Sequence, residues 1–135
     1  MKKILSTQYN AATFNLGLLI LRLSAGGIIM MNHGYMKLTG FGGMKNEFMD
    51  FLGLGPTFSL SLSLFAEFFC AILLILGLFT RVAAFLLIIN MGVAFFLAHG
   101  GSFTDGELPF LYLSIFLTLL LMGPGRISID RMIGK

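Results

Sequence analysis

Arg22 and Glu67 each interrupt a long apolar stretch of this chain. An ionisable side chain within hydrocarbon costs about 2.5 to 3.5 kcal/mol on insertion scales, so both require a partner or a task. Counted along helices that rise 1.5 Å per residue, Arg22 lies about 12 Å and Glu67 about 16 Å from the same end, and the two are expected to reach each other. Ser59, Ser63, Glu67 and Cys70 recur at spacings of four, four and three, a small-and-polar stripe that marks an inward face. Asn90, at about the same depth as Arg22 by the same rise, either completes this polar cluster or serves as interhelical glue. The chemistry open to Arg22 and Glu67 is proton relay or the holding of a polar head group. The alternative is an ion pair that only locks two helices together.

A second group gathers toward the opposite end: His33, Lys37, His99, Asp105 and Glu107. His33 is eleven residues from Arg22, nearly the same helix face about 16 Å further along, so one face of the first helix is expected to link the two clusters. Glu107 begins a polar stripe with Ser114 and Thr118. His99 fits less well, because nine residues from Asn90 is about half a turn and a straight helix does not aim both inward; Gly100 and Gly101 offer a release from helical geometry. Two histidines at matched depth on different helices could ligate haem, hold zinc with Glu107, or exchange hydrogen bonds and protons with a quinone. No spacing signature supports metal or haem, whereas a quinone needs only an apolar pocket with a few polar groups at one end. Phe65, Phe68, Phe69, Phe95 and Phe96 either line such a pocket or pack as ordinary bundle residues. The chain has no phosphate-binding glycine loop, nucleophile elbow or HExxH, and its one cysteine excludes an internal disulfide.

The elements that must position these residues follow from composition. Of 135 residues 57% are hydrophobic and 11% charged, with a mean hydropathy of +0.94; soluble domains carry about 25% charged residues. A lipid bilayer is the solvent that suits such a chain, and a formal net charge of +3 is too small and scattered for a nucleic-acid surface. Four continuous apolar runs, about 14–36, 58–78, 82–99 and 108–123, are each close to the length that crosses roughly 30 Å of hydrocarbon, the last being short. Without period-2 alternation they read as helices, so the fold class is all-α: a single membrane-embedded four-helix bundle over 1–135. Met44, Phe48, Phe51 and Leu52 recur at helical spacing and predict a short interfacial helix between helices one and two. Lys2, Lys3, Arg81, Arg126, Arg131 and Lys135 fall on one side, with Lys37 and Lys45 on the other, which places both termini in the cytoplasm. The first apolar run is expected to be retained rather than cleaved, because Arg22 interrupts it and no small-residue cleavage site is clear. A short internal repeat pairs Asn32-His33-Gly34 with Ala98-His99-Gly100. Ala25-Gly26-Gly27 offers a small-residue surface either to a second copy or to packing within the chain.

Arg22, Asn32-His33-Gly34-Tyr35-Met36-Lys37-Leu38, Glu67, Leu76-Gly77-Leu78-Phe79-Thr80-Arg81, His99 and Gly123-Pro124-Gly125 together resemble the DoxX family over about residues 15–130. The resemblance implies a small four-helix bacterial membrane protein. It also implies quinone-linked redox work, since the family is named for similarity to a subunit of thiosulfate oxidation and quinone reduction, and some members accompany oxidoreductases in sulfur or thiol stress. By position it carries roles to Arg22, His33, Lys37, Glu67 and His99.

The leading expectation is an inner-membrane subunit of an oxidoreductase assembly that holds a quinone near the outer face and takes electrons through a partner subunit. His33, Lys37 and His99 contact the quinone head, Glu107 tunes the outer histidine, and Glu67 with Arg22 relays protons. The alternatives are a small proton-coupled exporter or channel working as a dimer, and a non-catalytic membrane scaffold.

Overall fold

The computed structural model describes residues 4–134; Lys2, Lys3 and Lys135, counted above for orientation, lie outside them. Among the described residues the regular structure is entirely helical. Asn10 starts α1 (Ala11–Thr39) by accepting the Thr13 N–H at 2.9 Å, the usual work of an N-cap side chain. A one-turn α2 (Phe41–Met44) follows. Then come α3 (Pro56–Leu76) and α4 (Thr80–Ala98), an apolar α5 (Glu107–Met122), and a last turn α6 (Ile129–Met132). By length and composition α1, α3 and α4 suffice to cross a membrane. At 16 residues, α5 is about 24 Å long and falls short of the hydrocarbon thickness.

The four long helices form a closed ring in which α1 packs on α3, α3 on α4, α4 most extensively on α5, and α5 back on α1. Ile29, Leu74, Leu87, Phe116 and Leu119 fill the interior and are fully buried, while Phe85, Phe96 and Leu121 face outward. Such two-sided apolarity is what a helix between core and lipid requires. Small residues let α1 approach α3. A Cβ at Gly26 would stand 2.9 Å from the Ile75 side chain, and Ala25 beside it is buried. The small-residue surface is therefore used inside the chain rather than left for a second copy, apart from Gly27, which has open space.

One end of the bundle is closed by Arg22, which corrects the expected Arg22–Glu67 pair. Only 2% exposed, its guanidinium donates to four carbonyls: Leu74 (Nε, 3.1 Å), Ile75 (Nη2, 3.1 Å), Pro124 and Ile127 (Nη1, both 2.7 Å). Helix ends leave their last carbonyls without intrahelical donors, and the five N–H groups of arginine serve several at once. Gly77 (φ 71°) makes the reversal after α3, with Leu78 N–H on Leu73 O at 2.9 Å and Gly77 N–H on Leu74 O at 3.1 Å, a Schellman closure. Asp130 then accepts the Phe79 and Thr80 N–H groups at 2.8 and 2.9 Å and caps the start of α4.

At the other end, α2 stops at Met44 and the expected interfacial helix does not continue over 45–52, because local side chains take over the backbone. The Asp50 carboxylate accepts the Gly55 N–H (2.7 Å), the Ser59 hydroxyl accepts the Phe51 N–H (2.8 Å), and the Thr57 hydroxyl donates to Lys45 O (3.0 Å). Such bonds compete directly with helix formation. The segment 45–55 is instead an irregular flap.

Three helices contain a wider, π-helical turn: Met30–Gly34 in α1, Phe65–Cys70 in α3 and Ala94–Ala98 at the end of α4. Each sits at or beside one of the residues singled out above, His33, Glu67 and His99. Such single π turns are frequent at functional sites.

Candidate functional site

Ser59, Ser63, Glu67 and Cys70 all point inward and are buried. Glu67, in the wide turn of α3 and 4% exposed, is the hub. Its Oε1 accepts from Lys37 Nζ (2.8 Å), Ser63 Oγ (2.7 Å) and Asn90 Nδ2 (3.0 Å), and its Oε2 accepts from Lys37 Nζ at 2.7 Å. His33 Nδ1 stands 4.0 Å from Oε2, beyond direct hydrogen bonding, and its ring meets Tyr112 edge-on. The carboxylate therefore gathers donors from α1, α3 and α4 at about 16 Å from the Pro56 end of α3 and about 14 Å from its Leu76 end, close to mid-depth.

The wide turn of α1, Met30–Gly34, lies between the two cations. One residue added to a helical turn rotates everything beyond it by about 100°. Beyond that turn Lys37, with its side chain 13% exposed, extends along the bundle to Glu67, while Arg22 before the turn remains at the opposite end. Gly34 makes the approach possible, because a Cβ there would lie 2.5 Å from the Glu67 carbonyl oxygen and 2.9 Å from the Phe68 nitrogen. The wide turns of α1 and α3 thus pack backbone against backbone.

The cluster forms the foot of a cavity of about 520 Å³. Between α3 and α4 the contacts lie along the Leu76 half of α3 and its wide turn, while its first half, Pro56–Leu64, diverges. The resulting crevice has apolar walls that include Leu62, Phe65, Ile89 and Val93. Leu62, Phe65 and Ile89 are also exposed on the outer surface of the bundle, so the cavity opens sideways where lipid would lie. The flap covers its upper edge with Phe48 and Phe51, and Lys37 Nζ lies 5.8 Å from the centre of the Phe48 ring. Of the phenylalanines proposed as lining, only Phe65 contributes. Phe68 and Phe69 pack edge-on against each other, and Phe95 joins Phe96, Phe103 and Phe110 in a separate cluster where α4 ends and α5 begins.

His33, Lys37, Glu67, Asn90 and His99 all border this one cavity. The wide turn that ends α4 resolves the half-turn mismatch between Asn90 and His99. The His99 N–H bonds back to Ala94 O at 3.1 Å, and Gly101 N–H to Phe95 O at 2.9 Å. Glu107 is a correction: it is exposed in the first turn of α5 and does not border the cavity. Ser114 and Thr118 face outward and bond to their own helix at Phe110 O and Ser114 O, as hydroxyls on a lipid-facing surface must. Tyr112, which no spacing in the sequence marked, also lines the cavity, as do Phe48 and Phe51, expected instead on an interfacial helix. Among the described residues no three His, Cys, Asp or Glu side chains come together in a group able to hold a metal ion.

What the arrangement offers is an apolar-walled chamber with a charged but internally neutralised foot, two histidines, an amide, and an entrance from the side. A family model described as DoxX matches residues 17–100, a span that takes in the whole polar cluster and His99 but not Glu107. Over 68 residues the chain is 44% identical to an uncharacterized protein of Haemophilus influenzae, covering 44% of this chain and 51% of that protein. The match thus spans about half the length of that relative. Over 127 residues it is 29% identical to the inner membrane protein YqjF of Escherichia coli, covering 90% of this chain and 95% of that protein. No solved structure matches the chain significantly.

Proposed function

The chain belongs to the DoxX family, and on that premise we propose that it is a multi-pass subunit of an inner-membrane, quinone-linked oxidoreductase system, with the quinone head held in the cavity between α3 and α4. The inner-membrane setting is taken from the E. coli relative. The carrying observation is the join of an apolar, laterally open chamber to the Lys37–Glu67–Asn90 cluster at its foot, the pattern of a site for an amphiphile with a small polar head. α5 completes the membrane bundle as a short fourth span, tolerated by local thinning or tilt. Arg81, Arg126 and Arg131 lie at the end where α1 starts and α6 sits, so that end faces the cytoplasm and the flap faces outward.

A bound quinone would supply two-electron, two-proton redox chemistry, with the electrons passing through a partner subunit. This chain's part is to bind, orient and handle protons. Lys37 and Asn90 are donors for a ring oxygen at the foot of the chamber. Glu67 and His33 form the proton-handling pair, their 4.0 Å separation being one that a single bridging hydroxyl or water closes. Arg22, held by carbonyls at the opposite end, has no part in that relay and acts as a structural clasp. The apolar walls keep bulk water from the exchanging protons. An exporter of cations is less well served, because the charge of Glu67 is already matched by Lys37.

The test is an oxidised-minus-reduced ultraviolet spectrum of the protein purified in a mild detergent with its lipid, followed by titration with a short-tailed quinone. A quinone difference band, or saturable binding lost in Lys37→Met and weakened in Asn90→Leu, supports the proposal. A featureless spectrum without saturable binding overturns it.

A further inference from the structure

Resting on the reading of the cavity as a quinone site, we infer that it is built for the reduced, dihydroxy form of the ring, the hydroquinone, and that His99 selects that form. The His99 ring Nδ1 lies 2.7 Å from Ala94 O, an oxygen that also receives the His99 backbone N–H. A carbonyl has no hydrogen to give, so in this contact Nδ1 carries the proton. In a neutral imidazole the second nitrogen, Nε2, is then a bare acceptor. Among the described residues no hydrogen bond reaches Nε2, and the residue borders the cavity. The same carbonyl that fixes the tautomer also belongs to the wide turn that brings His99 to the chamber.

The polar groups of the cavity therefore differ in kind. Lys37 can only donate, and Asn90 turns its NH₂ toward the cluster, whereas His99 offers a lone pair. A dione oxygen is only an acceptor. It suits Lys37 and Asn90, but at His99 it would set lone pair against lone pair and leave both unpaired. A hydroquinone oxygen both donates and accepts. With one hydroxyl accepting at Lys37 or Asn90 and the other donating to His99 Nε2, every one of these groups is satisfied. A site that pairs with a hydroxyl discriminates against the analogue lacking it far more sharply than an apolar pocket discriminates by size, because the analogue leaves a polar group without a partner.

The experiment uses the full chain in lipid nanodiscs and equilibrium dialysis of three tail-less probes: durohydroquinone, duroquinone, and the dimethyl ether of durohydroquinone. The ether keeps both acceptor oxygens and has no hydrogen to donate, so it separates donation from redox state without any variant. Durohydroquinone is expected to bind at least about tenfold more tightly than either other probe. In His99→Phe, which keeps a ring and removes Nε2, the gap is expected to shrink to threefold or less, through weaker durohydroquinone binding and relief of the lone-pair conflict with duroquinone. Equal binding of the three probes by the wild-type chain overturns the inference and leaves the quinone reading standing. A gap that persists in His99→Phe overturns the role of His99. Binding of none of the three overturns both the inference and the quinone reading beneath it.

Discussion

Replacing Lys37 by methionine tests the cluster at its most exposed dependency. The substitution keeps the apolar stem of the side chain and removes the ammonium, so Glu67, with its side chain 5% exposed, loses the contacts at 2.7 and 2.8 Å. Removing one partner of a buried ion pair costs about 3 to 5 kcal/mol, because the charge left behind has no counterpart. Ser63 and Asn90 still donate to Oε1, which sets the expected loss near the lower figure. About 3 kcal/mol corresponds to roughly two orders of magnitude in the unfolding equilibrium, at tenfold per 1.4 kcal/mol. The assay is reversible unfolding by sodium dodecyl sulfate in mixed micelles. The double variant Lys37→Met/Glu67→Gln removes the orphaned charge and is expected to recover most of the loss, since replacing both members of a buried pair is often close to neutral. Stability of Lys37→Met within about 0.5 kcal/mol of wild type, a surface-mutation value, would refute the reasoning, as would a double variant no better than the single one.

Gly34→Ala places a methyl 2.5 Å from the Glu67 carbonyl oxygen, backbone that cannot swing aside; a loss of about 1 to 3 kcal/mol or more is expected in the same unfolding assay, and a neutral result would contradict the backbone-to-backbone packing. Arg22→Lys keeps the charge but loses the planar fork that serves four carbonyls, so it is expected to destabilise by about 2 kcal/mol while leaving quinone affinity unchanged. An affinity that fell with stability intact would return Arg22 to a relay role. Glu107→Gln is expected to alter neither stability nor quinone affinity, and a tenfold change in binding titration would bring Glu107 back into the site.

The helical class and the inward stripe through Ser59, Ser63, Glu67 and Cys70 were legible because composition and the 3.6-residue period carry that information directly. Partner choice was not legible. By helical rise alone Arg22 and Glu67 were expected at similar depth, and nothing in side-chain spacing reports on the carbonyls of Leu74, Ile75, Pro124 and Ile127 that claim the guanidinium. The wide turns are invisible to a fixed period, yet one lies between Arg22 and Lys37 and another between Asn90 and His99, which border one chamber. Glu107, Ser114 and Thr118 formed a plausible stripe, but the hydroxyls bond to their own helix, so the stripe was compatible with the lipid face. The flap misled for the opposite reason. Its apolar residues have helical spacing, but Asp50, Thr57 and Ser59 hold its backbone in another shape.

The most direct test of the central claim is photolabelling with an azido-quinone in nanodiscs, with the modified residues mapped by mass spectrometry. Label is expected on the crevice walls, within 62–66 of α3 and 86–94 of α4, and excess unlabelled quinone is expected to displace it. Label spread over outward faces such as Phe85 and Leu121, unaffected by competitor, would contradict that claim.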